Sequence, residues 1–577
     1  MRFLLSYILK YKKQAFLSPF LKLIEAAFEL LVPLVISYLI DKGLNGLNGL
    51  DNGILNRTIV LLVVFALTGY VVALFAQYYA SDCASLVASS IRQDLYLKVS
   101  RLSASQIEKI GTSAITTALT GDINQISTGV NLTLRLLLRS PMIVFGATIM
   151  AIIIDPSLSW IFILLTIVLI SIVFFVMRHS VPFFESSRKA LDLLVTKTIT
   201  FLSGVRVIRS YNRTKDEFDR FNDLSNQMKK KSILASNASA LINPLTFLAV
   251  NLSIIALIMF GAIRVEDSYL SLGSVVALYN LLSQILVELI KLANLIVSVS
   301  RALACANRVQ SIIQTDVDDS NIKTLSLSNE TASVVFDDVS FKYEGSSSPT
   351  IENLSFEIKA GETIGITGMT GSGKSTIAYL LAGLYPCSSG EIRISAKDIN
   401  FINSESLHNL VSLCYQKTKL ITNTIESNIK FFRDSITMDQ VEEASRVSCC
   451  KDFIEHKSKK YETNLYASGA GLSGGQRQRL GIARALANCP KLLILDDSMA
   501  SLDAITESKV LNNISTLEYK PTVVIVSQKL RTLRQCDKIL LIDEGKLQAF
   551  GPHDELVKTS DQYKSLWKLQ GNKEEMQ

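Results

Sequence analysis

Four stretches of this chain, 58–81, 158–177, 232–263 and 268–287, contain no charged residue. Each is long enough to cross a hydrocarbon core of about 30 Å as a helix. A backbone in lipid must satisfy its own hydrogen bonds, so such runs commit the first half of the chain to membrane helices. Two further runs are interrupted: 15–40 carries Lys22, Glu25 and Glu29, and 132–154 carries Arg135 and Arg139 near one end. Together they make six crossings, which puts both termini on one side. The mean hydropathy of +0.30, high for a soluble protein, comes from this half.

Charge gives the orientation. One set of connecting segments holds Lys10, Lys12 and Lys13, then Arg92, Lys98, Arg101 and Lys109, then a dense group from Arg178 to Lys231. The opposite loops are poor in cations: 41–56 has Lys42, 155–157 has none, and 265–269 is acidic. That is the positive-inside pattern. The net charge of +7 therefore reports orientation, and even Lys229-Lys230-Lys231 calls for no nucleic-acid partner. Met1 to Lys13 is short and basic, and reads as an amphipathic helix along the inner leaflet rather than a cleavable signal peptide. The eight cysteines are scattered without C-x-x-C spacing, which argues for reduced thiols and no metal or disulfide framework. The Gly-Leu-Asn repeat from Gly43 to Gly49 reads as a flexible connector.

The apolar periodicity ends near 315, and short strands then alternate with helices, the pattern of an α/β domain. The expected organisation is an α-helical membrane domain over 1–315, a linker over 316–333 and an α/β P-loop nucleotide-binding domain over 334–577. Gly368-Met369-Thr370-Gly371-Ser372-Gly373-Lys374-Ser375 matches the phosphate-binding loop in full, between an expected strand at 363–367 and an expected helix at 377–381. Its backbone N–H groups and the helix dipole favour phosphate, Lys374 reaches the β- and γ-phosphates, and the Ser375 hydroxyl ligates Mg²⁺. The buried strand Leu492-Leu493-Ile494-Leu495 runs into Asp496, which would hold the metal from a neighbouring strand end, and then into Asp497.

Leu472-Ser473-Gly474-Gly475-Gln476 heads a helical run to Ala487. Together with the phosphate loop this resembles the ATP-binding cassette (ABC) family over essentially the whole chain. The resemblance implies a six-helix exporter-type membrane domain, ATP and Mg²⁺ as cofactors, and both termini in the cytoplasm of a multi-pass protein of the bacterial plasma membrane. It makes Tyr343 the aromatic that stacks on adenine, Thr376 a further nucleotide contact, and Gln416 a metal and γ-phosphate contact with Ser375 and Asp496. It also makes Ser501, Leu502 and Asp503 the D-loop. Turns near 104–117 and 209–215 resemble the coupling helices that relay closure of the nucleotide domains, the second through Gly204 to Tyr211 with Glu217-Phe218 and Arg220-Phe221.

The chain departs from the family at three places. Asp497 stands where the family carries the Glu that orients the attacking water, and a carboxylate displaced by about 1 Å can lose on the order of a hundredfold in rate. Gln528 stands at the switch histidine; its amide can hydrogen-bond the γ-phosphate but takes up no further proton and no positive charge near neutral pH. Tyr466-Ala467-Ser468-Gly469 replaces Gly-Glu-x-Gly. An impaired Walker B and switch beside an intact signature imply an asymmetric pair. The chain would lend Leu472 to Gln476 to a different half-transporter and hold ATP in its own degenerate site, as in heterodimeric bacterial multidrug exporters.

The cargo is less legible. Glu25 and Glu29 share a helix face, as do Glu288 and Lys291, and ionisable groups at membrane depth face a cavity or another helix. Two readings stand: a site for cationic amphiphiles among the hydrophobic or amphipathic substrates such exporters move, or interhelical polar contacts. Phe28, Phe247, Phe260 and Tyr279 have two readings of their own: the lining of an apolar cavity, or simple packing between membrane helices. Two alternative functions remain for the whole chain: an exporter-fold importer of metal chelates, and an ATP-gated channel or regulatory membrane protein.

Overall fold

The computed structural model describes residues 1–44, 51–316, 332–466, 469 and 471–570. Most of the Gly-Leu-Asn repeat, most of the 316–333 linker, and Ala467 and Ser468 lie outside the described residues. The chain forms two compact units: Met1–Ser100 with Ile110–Thr315, and Arg101–Lys109 with Asp316–Gln577.

The first unit is helical. Its elements are α1 (Arg2–Ile8), α2 (Lys12–Tyr38), α3 (Asn52–Ser100), α4 (Ala104–Ile110, whose first residues fall in the second unit) and α5 (Thr112–Thr117). They continue with α6 (Ile123–Leu136), α7 (Arg139–Ile154), α8 (Ser159–Ser210), α9 (Thr214–Ala240), α10 (Ile242–Glu266) and α11 (Leu272–Ile313). Joined across short kinks, they give six helices long and apolar enough to cross a membrane among the described residues. α3 has 49 residues and α8 has 52. At 1.5 Å per residue each is roughly 75 Å long, more than twice a hydrocarbon core, so their polar ends extend beyond it.

Two apolar clusters hold this unit together. One joins Ala26 and Leu30 of α2 to Ile143, Ala147 and Ala151 of α7, and to Leu278, Leu281 and Ile285 of α11. The other joins Cys83, Val87, Ile91 and Leu95 of α3 to Ile123, Ile126 and Val130 of α6, and to Cys305 and Val309 of α11. The amino-terminal helix α1 packs one face on the protein and leaves Leu5, and Leu9 just beyond it, exposed. Leu4 and Tyr7 are buried in the second cluster, the Tyr7 hydroxyl donates to Asp94 at 2.6 Å, and the Tyr11 hydroxyl lies 2.6 Å from Ser90 Oγ. Protein covers this face because Asp94 and Ser90 supply hydrogen bonds that lipid lacks.

The second unit has a six-stranded sheet in the order β10-β9-β3-β8-β7-β6 and a four-stranded sheet in the order β2-β1-β4-β5. The strands are β1 (Val334–Phe341), β2 (Ile351–Ile358), β3 (Thr363–Gly368), β4 (Ser389–Ile394), β5 (Lys397–Asp398), β6 (Val411–Cys414), β7 (Leu492–Asp496), β8 (Thr522–Val526), β9 (Lys538–Asp543) and β10 (Lys546–Gly551). β6, β7, β8, β3 and β9 run parallel, with Cys414 paired to Leu495, Asp496 to Val526, and Ile366 to Val526. Parallel strands buried on both faces read as continuous aliphatic runs, which explains Leu492 to Leu495 and Val523 to Val526.

Candidate functional site

Parallel alignment brings four strand ends to one edge, where ligands of open α/β sheets bind. β3 ends in the phosphate loop, β8 in Ser527-Gln528, β7 in Asp496-Asp497, and β6 in Tyr415-Gln416. The result is a cavity of about 310 Å³ lined by Thr370, Gly371, Gly373, Lys374, Ser375, Thr376, Gln416, Asp496, Asp497 and Gln528, with Thr350 among the others. Sequence separations of more than 100 residues close here because the sheet order is β3-β8-β7-β6.

Gly373 caps α12 (Lys374–Leu381) with φ of 98°, and a Cβ there would lie 2.6 Å from Ile351 Cδ1 and 2.9 Å from the Thr350 carbonyl. Only glycine accepts both the backbone conformation and the close approach. The Lys374 ammonium folds back onto the loop, donating to the Gly368 carbonyl at 3.0 Å and the Met369 carbonyl at 2.6 Å. Burial draws its pKa down, while the charges of Asp497 and Asp496 act in the opposite direction. A phosphate would compete for these donors as a stronger acceptor.

Ser375 Oγ donates to Asp496 Oδ1 at 2.8 Å. Asp496 is fully buried, its Oδ2 makes no hydrogen bond within the described residues, and burial pushes its carboxyl above the usual range. An orphaned buried carboxylate oxygen beside a hydroxyl and the Gln416 amide is an all-oxygen donor set suited to a hard cation such as Mg²⁺.

Asp497 occupies the left-handed region with φ of 44°, and its N–H donates to the Val526 carbonyl at 2.9 Å. Its Oδ2 accepts from Gln416 Nε2 at 3.0 Å. The backbone of Gln528 is fixed from an unexpected quarter: Gln570 Nε2 donates to the Gln528 carbonyl at 2.8 Å, and Gln570 Oε1 accepts from the Leu530 N–H at 2.9 Å. No local motif flags Gln570, since its partners are more than 35 residues away.

Leu472 to Gln476 do not line this cavity. Ser473 caps the helix Gly474–Leu486 through a capping box, accepting from the Gln476 N–H at 3.2 Å while its own N–H donates to Gln476 Oε1 at 3.0 Å. The expected D-loop packs behind it. The Ser501 N–H donates to Gln478 Oε1 at 2.8 Å, Leu502 is buried, and Asp503 caps the helix Ala504–Ser515 by accepting from the Thr506 N–H at 2.9 Å. Gln478 also reaches the Gln416 carbonyl at 3.5 Å, so this buried amide, unremarked in the sequence, links the loops that carry Ser501 and Gln416. Tyr343 stands beside the cavity with its hydroxyl 3.2 Å from Thr376 Oγ1.

The first half of the chain matches the model of the ABC transporter transmembrane region over residues 15–289, and the second half matches the ABC transporter model over residues 351–500. The uncharacterized ABC transporter ATP-binding protein YfiB of Bacillus subtilis is 31% identical over 573 residues, covering 99% of this chain and 98% of its own. The chain is an ABC transporter. The ATP-dependent lipid A-core flippase of Vibrio vulnificus is 27% identical, over 89% of this transporter and 88% of its own length. The solved structure of a bacterial Atm1-family ABC exporter with ATP bound aligns with a TM-score of 0.85 over 97% of this chain and 99% of that one, at 22% identity. The exporter-type fold, with a multi-pass membrane region and an ATP-binding domain in one chain, is therefore shared.

In this ABC transporter the first expected coupling segment is the short helix α4. Within the second unit, Lys109 pairs with Glu344 at 2.7 Å and the Tyr385 hydroxyl donates to Glu108 at 3.1 Å. Tyr385 stands edge-on to Tyr343, with ring centroids 5.5 Å apart. The second expected segment, 209–215, is the turn between α8 and α9 in the first unit.

The membrane carboxylates meet a cation that sequence reading noticed but did not use. Arg139, buried at the start of α7, lies 2.7 Å from both Glu29 and Glu288 and 3.6 Å from Glu25. Lys22 pairs with Glu25 at 2.5 Å, Lys291 with Glu288 at 2.8 Å, and Ser140 Oγ donates to Glu288 at 2.7 Å. The interhelical reading of these acids thus holds for all three, and Glu29 and Glu288 also line a cavity while Glu25 does not. The available signal was complementarity: an arginine in one interrupted span, acids in the other, and a third acid directly after the charge-free run 268–287.

Proposed function

We propose that this transporter is one half of a heterodimeric exporter whose own phosphate-loop cavity binds MgATP and hydrolyses it slowly. Its Leu472-Ser473-Gly474-Gly475-Gln476 segment would complete the hydrolytic site on a second, different half-transporter chain. Exported cargo would be a hydrophobic or amphipathic drug, lipid or peptide. The protein would sit in the bacterial plasma membrane with both termini cytoplasmic, where ATP is available.

The observation that carries this reading is the state of Asp497. Its carboxylate, one methylene shorter than Glu, bonds to Gln416, and Gln528 at the switch position cannot take a proton. The residues that hold nucleotide remain in place: the phosphate loop with Lys374 for the β- and γ-phosphates, and Tyr343 for the base. Ser375, Asp496 and Gln416 would hold Mg²⁺, which neutralises developing charge on the phosphates. What is weakened is general-base and γ-phosphate positioning alone, so binding outlasts chemistry. The signature supports the paired reading because its Ser473 and Gln476 lie away from the chain's own cavity, leaving them for another chain's nucleotide. A lipid flippase among the relatives supports an amphipathic cargo.

The test is ATP hydrolysis by the purified chain alone and with the half-transporter that co-purifies with it. The reading requires little turnover alone and clear turnover in the pair. Equal turnover in both preparations would contradict it.

A further inference from the structure

The membrane unit has an open cavity of about 370 Å³ between α2, α7 and α11, whose polar lining is Glu29, Asn280, Ser283, Gln284, Glu288 and Lys291. Its depth follows from helix geometry. At the outer end Asp41 accepts from the Gly273 N–H at 2.8 Å. Glu29 lies 12 residues before Asp41 and Glu288 lies 15 residues after Gly273. At 1.5 Å per residue the cavity is roughly 18–22 Å below that tie, in the inner half of a core about 30 Å thick.

The network around it is balanced: Glu25, Glu29 and Glu288 against Lys22, Arg139 and Lys291. Most of it is sealed, but Glu29 retains 44% of its side-chain exposure and Lys291 retains 40%. Both oxygens of Glu29 bond to one nitrogen of Arg139, which leaves lone pairs open, and the Lys291 ammonium keeps donors beyond the one given to Glu288. Gln284 anchors its Nε2 on the Glu29 carbonyl at 3.3 Å, while its Oε1 is buried without a hydrogen-bond partner. One open carboxylate, one open ammonium and one orphaned acceptor therefore share a small cavity at a depth where bare ions are expensive.

We propose that this cavity binds a zwitterionic group of the transported molecule, with an ammonium against Glu29 and Gln284 Oε1 and a carboxylate or phosphate against Lys291. The proposal rests on the exporter reading and narrows its cargo. A ligand of single charge satisfies one of the two open ions and adds net charge to a neutral, partly desolvated network; a zwitterion satisfies both and adds none. Arg139 thereby excludes the purely cationic amphiphile that Glu25 and Glu29 suggest when read alone. The zwitterion can come from a lipid headgroup in the inner leaflet or from a free cytoplasmic solute.

The experiment is equilibrium binding, without ATP, to the pair in nanodiscs of phosphatidylglycerol, a lipid that supplies no zwitterion. The probes are lysophosphatidylethanolamine, lysophosphatidylglycerol and an alkylamine of matched chain length, with glycerophosphoethanolamine as the chain-free headgroup. The expected result is zwitterion binding at least about tenfold tighter than either singly charged amphiphile, as charged hydrogen bonds imply. Glu29→Gln should lose discrimination against the anionic probe, and Lys291→Gln discrimination against the amine. Competition by glycerophosphoethanolamine assigns the group to a free solute; binding of the acylated form alone assigns it to a lipid. Binding of all three amphiphiles with equal affinity to the unmodified protein overturns the proposal, whatever the variants do. Binding preference together with ATP-driven uptake instead of efflux would uphold the cavity's chemistry and overturn the exporter reading.

Discussion

The Gln416 side-chain amide donates to the Asp497 carboxylate at 3.0 Å, so the residue expected to orient water is held by a neighbour from the loop after β6. A carboxylate already one methylene short spends one oxygen on this bond. On the reading proposed above, the site would grip the phosphates of ATP and still place its base poorly.

Lengthening that side chain should restore chemistry. In a pair whose partner lacks its own catalytic carboxylate, Asp497→Glu with Gln528→His should raise phosphate release by roughly ten- to a hundredfold. Asp497→Asn in the same background should change little, because the base contributes little to begin with.

Damage to the two phosphate loops should be unequal. Lys374→Ala should lower turnover of the pair by no more than about threefold, whereas the equivalent change in the partner removes charge stabilisation worth on the order of a hundredfold. Steady-state ATPase rates of the two single variants decide this.

The Asp496 carboxyl is held above its usual range by burial. A raised acid pKa means that protons compete with Mg²⁺ at a higher pH than an ordinary carboxylate allows. Mg²⁺-dependent nucleotide affinity should therefore begin to fall, on acidification, above the usual aspartate value of about 4. Asp496→Asn should lower the affinity at neutral pH and remove that pH dependence, as read by fluorescent-nucleotide titration.

Arg139 is the common partner of three carboxylates. Arg139→Met should destabilise the membrane unit by about 3–5 kcal/mol, since acids are left without their cation. Adding Glu288→Gln should recover part of the loss. Thermal unfolding of the two proteins in the same detergent measures both effects.

The helices and the phosphate loop were legible because their signals are local. Charge-free runs mark membrane spans, and strand, glycine loop and helix succeed one another within 363–381. The adjacency of Gly368 to Ser375, Asp496, Gln528 and Gln416 depends on the sheet order, which no local pattern encodes; only the family resemblance pointed to it. Gln570, Gln478 and Arg139 were missed in their roles for the same reason. Each acts on residues distant in sequence, and a single polar side chain carries no periodic signature. The packing of the amino-terminal helix on α3 was not legible either, because the hydrogen bonds of Tyr7 and Tyr11 that fix it join residues distant in sequence.

The most direct test of slow hydrolysis at this site uses a photoreactive, radiolabelled ATP analogue on the cycling pair, with the two chains separated after crosslinking. The nucleotide attached to this chain should remain largely triphosphate while that on the partner is mostly diphosphate. Diphosphate appearing on both chains at the same rate would contradict the account.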